Sequence, residues 1–171
     1  MDWQAREAAL TDAMAPLFPD ALGAGFTDAA TDYGAPLRWT PEARAYAERV
    51  TAQVAQDIAT MTATQRDRIQ ALVGAYSGDR AALVKALQSQ DAYIAEHAAL
   101  IAEDQVNRAY NHGAIAAAYA AGAQYVDVRD GTQDAECAAV NGTRQSLEWA
   151  AANPVAHPRC IRSFSIAREA E

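Results

Sequence analysis

Four residues near the C-terminus are of types that hold metals or react as nucleophiles: Asp134, Cys137, His157 and Cys160. The chain has two cysteines and three histidines. Cys137, His157 and Cys160 are therefore the soft and imidazole ligands placed to converge. The two-residue gap in His157-Pro158-Arg159-Cys160 suits a chelating knuckle, and Asp134 or Asp130 can complete a tetrahedral zinc site. A small unit with few large apolar side chains gains stability from such a metal. Two other arrangements compete. The cysteines can pair as a disulfide in an oxidising setting, or lie together as buried thiols. His157 would then hydrogen-bond a backbone carbonyl and organise the Pro158 turn.

Catalysis is not expected. A nucleophilic Cys137 needs a base and a lowered pKa. His157 can serve as the base, but no oxyanion-hole motif, triad, phosphate loop or paired-carboxylate motif accompanies it. Asp127, Asp130, Asp134 and Glu136 form an acidic cluster that can bind a divalent cation, although a solvated turn is the expected role.

These residues need elements to position them. Gln124 to Arg129 is β-rich and reads as a strand. Asp130-Gly131 and Asn141-Gly142 are turn dipeptides. Ser146 caps a short helix to Ala152, stopped by Asn153-Pro154. Cys160, Arg162, Phe164 and Ile166 alternate, which predicts a terminal strand antiparallel to the first. A long helix over about 91–121 leads into this unit. Gly113 inside it costs about 1 kcal/mol relative to alanine, so it marks close packing, a kink or simple tolerance. Arg108 on that helix can pair with Asp127 or Asp130, and Asn111 can tie off backbone groups near the strands. His97 and His112 read as ordinary helix-surface residues.

Upstream, Asp2 to Leu17 reads as a short amphipathic helix ended by Pro16 and Pro19. Residues 19–39, with Gly23, Gly25, Gly34 and Pro36, read as a loop. Thr40-Pro41-Glu42 is the strongest helix start in the chain. That helix is expected to end near Thr62, where Thr62 and Gln65 suggest a capping box for another. Ser77-Gly78-Asp79 breaks the second one, and a short helix with Leu83, Val84 and Leu87 follows. Trp3 and Trp39 either pack back on the helices or serve an interface. The fold class is α+β: a mostly helical N-terminal part, with a long helix leading into a small antiparallel β module. The expected division is a helical arm over 1–90, carrying the 19–39 loop, and an α+β module over 91–171.

The 171 residues are enough for a core without disulfide staples. Apolar residues make up 51%, but much of that is alanine, which favours helix and buries little area. The net charge of −8 and the absence of a basic run disfavour general duplex-DNA binding. The N-terminus lacks a signal-peptide pattern, and no stretch approaches the apolar length of a membrane span. A reducing compartment is the default.

One resemblance joins these pieces. The helix text from Ile101 to Gly113 contains Arg108-Ala109-Tyr110-Asn111-His112-Gly113. After it come the strand Tyr125-Val126-Asp127-Val128, then Asp130-Gly131, Asp134, Cys137 and Asn141-Gly142. His157-Pro158-Arg159-Cys160-Ile161-Arg162 closes the series. In order and spacing this resembles the Mu F-like minor head protein family of tailed phages, over residues 101–166. The chain has Glu103-Asp104-Gln105 where many members have a basic-Thr-Glu triplet, and it keeps one cysteine of each usual pair. The resemblance makes Arg108, Tyr110, Asn111, Gly113, Asp130, Gly142, Pro158 and Arg162 the structural motif residues.

It implies a virion component and not an enzyme. Such a protein would be assembled into phage heads in the host cytoplasm, touching portal or major capsid protein. It would aid head assembly, DNA packaging or DNA delivery. The N-terminal helices and the 19–39 loop are the expected contact surface, separable from a folded domain. A small metal-binding adaptor that touches DNA during ejection, or a module linked to a toxin enzyme, are the alternatives.

Overall fold

The computed structural model describes residues 3–75, 85–86, 103–132 and 134–168. Its first helix, α1 (Trp3–Tyr33), overturns the expected short helix and 19–39 loop. Pro16 and Pro19 lie inside it, each removing a helical hydrogen bond at a cost of about 3 kcal/mol. The compensation is tertiary. Phe18, Leu22, Phe26 and Ala29 recur at helical spacing and are all buried, and a buried Leu or Phe contributes roughly 1.5–3 kcal/mol. Gly34 ends the helix at φ +79°, its N–H donating to the Ala30 and Thr31 carbonyls.

The Thr40 start behaves as read. Its Oγ1 accepts from the Ala43 N–H at 3.2 Å, and α2 (Pro41–Ala75) follows. The expected break near Thr62 is absent. No glycine or proline falls between Glu42 and Val73. The Thr60 and Thr64 hydroxyls donate to carbonyls one turn back instead of capping a new helix. The predicted break at Ser77-Gly78-Asp79 and the helix with Leu83, Val84 and Leu87 lie outside the described residues, as do Ile94, His97, Ala98 and Ile101.

The central element, α3, is described over 103–120. Ala109, Ala114, Ile115, Ala116, Ala117 and Ala118 are all buried along it. Alanine is used here because neighbours crowd α3 on several sides. Gly113 is there for close packing: a Cβ at Gly113 would strike the Leu22 carbonyl, and one at Gly25 would strike the Tyr110 carbonyl. The backbones of α1 and α3 therefore touch, and no other residue type fits the crossing. Tyr110 adds a hydrogen bond from its hydroxyl to Asp28 at 2.8 Å.

Gly122, at φ +70°, closes α3. The chain then forms β1 (Tyr125–Arg129), α4 (Ala135–Val140), β2 (Arg144–Ser146), α5 (Leu147–Ala152) and β3 (Ser163–Ile166). The sheet order is β2-β1-β3, with both pairings antiparallel. Val126 faces Ile166 and Val128 faces Phe164. The expected strand pair, the Ser146 cap and the Asn153 stop are all present; Ser146 Oγ accepts from the Trp149 N–H at 3.1 Å. The Asn141-Gly142 turn places Gly142 at φ +75° and bonds its N–H to the Val128 carbonyl. Both α4 and β2 are too short to show a period, and neither was anticipated.

The fold is thus α+β, but the helical part is no detached arm. Phe26, Ala29, Ala43 and Tyr46 share one core with Ile115, Val126, Val128, Leu147, Phe164 and Ile166. Residues 1–39 contribute Phe26 and Ala29 to that core, so deleting them is expected to destabilise the whole unit. Trp39 packs back onto the helices, stacked on Phe26 with ring centroids 4.2 Å apart.

Candidate metal centre

The site begins with a helix cap. Asp134 Oδ1 accepts the Cys137 N–H at 2.8 Å and starts α4. That fixes Cys137 on the first turn, where it is 2% exposed. The other two residues lie in the tight turn before β3. The Cys160 N–H donates to the His157 carbonyl at 3.1 Å. Arg159 sits between them at φ +62°, a conformation that costs a non-glycine residue energy.

The turn is held from α3. Asn111, 1% exposed, donates from Nδ2 to the carbonyls of Pro154 at 2.7 Å and Arg162 at 2.8 Å. Asn107 reaches the Cys160 carbonyl at 3.5 Å. The expected role of Asn111 in tying off backbone near the strands is what the structure has. Arg108 differs from expectation. It pairs with Asp104 one turn back at 2.7 Å, because the i,i+4 partner lies within reach on its own helix. The residue that does meet Asp130 is Arg162, at 2.6 Å with both side chains out of solvent. Its guanidinium also donates to the Asn153 carbonyl and lies over the Trp149 ring.

Three ligand atoms converge. Cys137 Sγ is 3.2 Å from His157 Nε2 and 3.9 Å from Cys160 Sγ, and the three atoms lie within 4.8 Å of one another. Tetrahedral zinc, with bonds of about 2.0–2.3 Å, sets its ligand atoms about 3.3–3.8 Å apart. The two separations from Cys137 Sγ lie close to that range, and bringing all three atoms, which lie within 4.8 Å, onto one ion would need a small contraction. His157 Nδ1 donates to the Pro158 carbonyl at 2.9 Å, so once Nε2, which faces Asp134 Oδ2 at 3.2 Å, gives up its proton, its lone pair is open to a metal beside the sulfurs. The cluster is therefore able to hold a metal ion.

Two carboxylates stand ready as a fourth ligand. Asp134 Oδ2 is 3.2 Å from His157 Nε2. Asp130 Oδ1 is 3.6 Å from Cys160 Sγ. Burial pushes the Cys137 thiol up to about 12, helped by Asp130, Asp134 and Cys160. A metal there would have to displace a proton. The hydrogen bond to Pro158 raises His157, and Asp134 and Glu136 add to it. The Cys137 N–H holds Asp134 below the usual carboxylate range, with His157 contributing. Burial works to raise Asp130, but the Arg162 hydrogen bond, the Gly131 N–H and the Cys137 thiol bring it below its ordinary value.

The acidic residues do not form one cluster. Asp127 pairs across the sheet with Arg144 at 2.8 Å, and Glu136 is exposed. Pro158 is exposed in the turn. His112 is not the surface residue its position on the helix suggests. Its Nδ1 lies 2.6 Å from the Tyr46 hydroxyl, and burial with the Arg108 charge lowers its pKa to about 4. No spacing rule could link residues 66 apart. Beside this pair, α2, α3 and the end of α5 line a cleft of about 240 Å³ that includes Arg49, Gln53, Gln105, Arg108 and Ala151.

Fold and site together define an α+β protein whose small β unit is closed beside a Cys-His-Cys ligand set. No protein-family model, curated protein or solved structure matches the chain.

Proposed function

We propose that this chain is a minor head protein of a tailed phage, acting structurally at the portal or the inner head surface, with a zinc ion on Cys137, His157 and Cys160. The observation that carries the reading is where the motif residues fall. Asn111 anchors the turn that bears His157 and Cys160, Gly113 admits the α1 backbone, and Arg162 neutralises buried Asp130. Residues of the Mu F-like resemblance thus serve as the joints of one folded unit. A protein that must survive assembly and release gains from such bracing.

The metal would supply cohesion and no chemistry. Cys137 belongs to α4 and Cys160 to the turn before β3, so a shared ion ties two segments that otherwise meet through few large side chains. Asp134 is the fitting fourth ligand. Its Oδ2 already faces the cluster, whereas Asp130 is committed through Oδ2 to Arg162.

The head assignment is tested by co-expressing the chain with the portal and major capsid proteins of the same genome and sedimenting the particles. It should travel with heads at low copy. A chain that stays wholly in the soluble fraction while complete heads form would refute the reading. The metal is tested separately by elemental analysis of the purified protein, with one zinc per chain expected.

A further inference from the structure

The chain has two cysteines. The fold brings their sulfurs to 3.9 Å from one another, with each residue 2% exposed. They come from segments 23 residues apart, so local sequence does not force the approach. A disulfide needs an S–S distance of about 2.05 Å, so the two sulfurs, now 3.9 Å apart, have to close by about 1.9 Å. With no third cysteine present, no other intrachain pairing competes.

We propose that Cys137 and Cys160 form an oxidative modification site, in which an intrachain disulfide excludes the dication that the reduced pair holds. The exclusion half rests on the metal reading above; the cross-link itself does not. Sulfurs joined to each other no longer serve as thiolate ligands. His157 and one aspartate are then left, too few donors to retain zinc in a tetrahedral protein site.

The chemistry balances with a peroxide as oxidant. Sulfurs held by a dication are thiolates, the form that oxidants attack. One thiolate attacks a peroxide oxygen, the O–O bond breaks, and a sulfenic acid and hydroxide result. The second thiolate attacks that sulfur, the S–S bond forms, and a second hydroxide leaves. Two electrons pass from the sulfurs to the peroxide, and solvent protons turn both hydroxides into water. The covalent link joins the same two segments that the metal joins. The first turn of α4 and the turn before β3 therefore stay tied when a reducing setting is exchanged for an oxidising one.

The test treats zinc-loaded full-length protein with hydrogen peroxide beside a chromogenic zinc chelator. Release of one zinc per chain is expected, with a mass lower by two hydrogens. A non-reducing peptide map should contain a Cys137–Cys160 peptide, and dithiothreitol with zinc should restore the starting state. A disulfide-bonded chain that keeps its zinc would overturn the exclusion. Oxygen adducts on sulfur without an S–S bond would overturn the cross-link. Metal-free protein is run in parallel. If zinc never loads, the metal reading and the exclusion fall, while the metal-free arm still decides whether the pair cross-links. Cys160→Ser, checked for folding by circular dichroism, should form no intrachain bond and collect oxygen on Cys137.

Discussion

Arg162 Nε lies 2.6 Å from Asp130 Oδ2, with the side chains 3% and 0% exposed. Breaking such a buried pair strands a charge and costs about 3–5 kcal/mol. Arg162→Met should lower stability by that amount in urea unfolding. Arg162→Lys should recover little, because the guanidinium also donates to the Asn153 carbonyl. The double variant Asp130→Leu with Arg162→Met should be more stable than Arg162→Met alone. A single variant as stable as the parent would show that the pair contributes nothing.

The α1–α3 crossing predicts an inverted alanine effect. On an exposed helix, Gly→Ala stabilises by about 1 kcal/mol. At Gly113 and Gly25 the new Cβ meets backbone of the facing helix, which cannot yield as a flexible side chain would. Gly113→Ala should destabilise by about 1–3 kcal/mol or more, read as a lower thermal midpoint. A raised midpoint would show that the helices do not touch there.

His112 supplies a pH dependence. Its folded pKa is about 4, against about 6.5 in the unfolded chain. Between those values the unfolded state binds the extra proton, so stability falls as pH drops from about 6.5 to about 4. The difference corresponds to about 3 kcal/mol. His112→Gln, which keeps a partner for Tyr46, should flatten that part of the profile. Parallel acid limbs for parent and variant would remove His112 as the cause.

Zinc binding should weaken as pH falls through the raised pKa of His157, because the imidazolium has no lone pair to offer. Asp134→Asn keeps a good N-cap for α4 but loses the carboxylate facing Nε2. It should weaken zinc more than Asp130→Asn does, by isothermal titration. The reverse order would make Asp130 the fourth ligand.

Much of the architecture was legible because its signals are local. Thr40-Pro41, Ser146, Gly122, Asn141-Gly142 and Asn153-Pro154 each act within one turn of chain. The alternation of Val126 and Val128, and of Phe164 and Ile166, sufficed for the antiparallel pair. The convergence of Cys137, His157 and Cys160 was legible too, since few soft ligands are present and two share a short turn. The failures have a common origin. Pro16 and Pro19 read as a helix end, and Gly23 and Gly25 as loop, by intrinsic preference, yet burial of Phe18, Leu22 and Phe26 and the contact at Gly25 hold the segment in helix. Arg108 takes Asp104, one turn away, over a distant acid, and the partner of His112 is on another helix, beyond any local pattern.

The amino-acid sequence by itself determined the α+β class, the caps and turns, and the ligand types available near the C-terminus. Those depend on backbone preferences and side-chain chemistry that act over a few residues. Only the tertiary structure decided that α1 runs through its prolines, that Arg162 and not Arg108 meets Asp130, and that two sulfurs lie 3.9 Å apart. Each of these is set by which surfaces are buried together, and burial is a property of the whole packed chain.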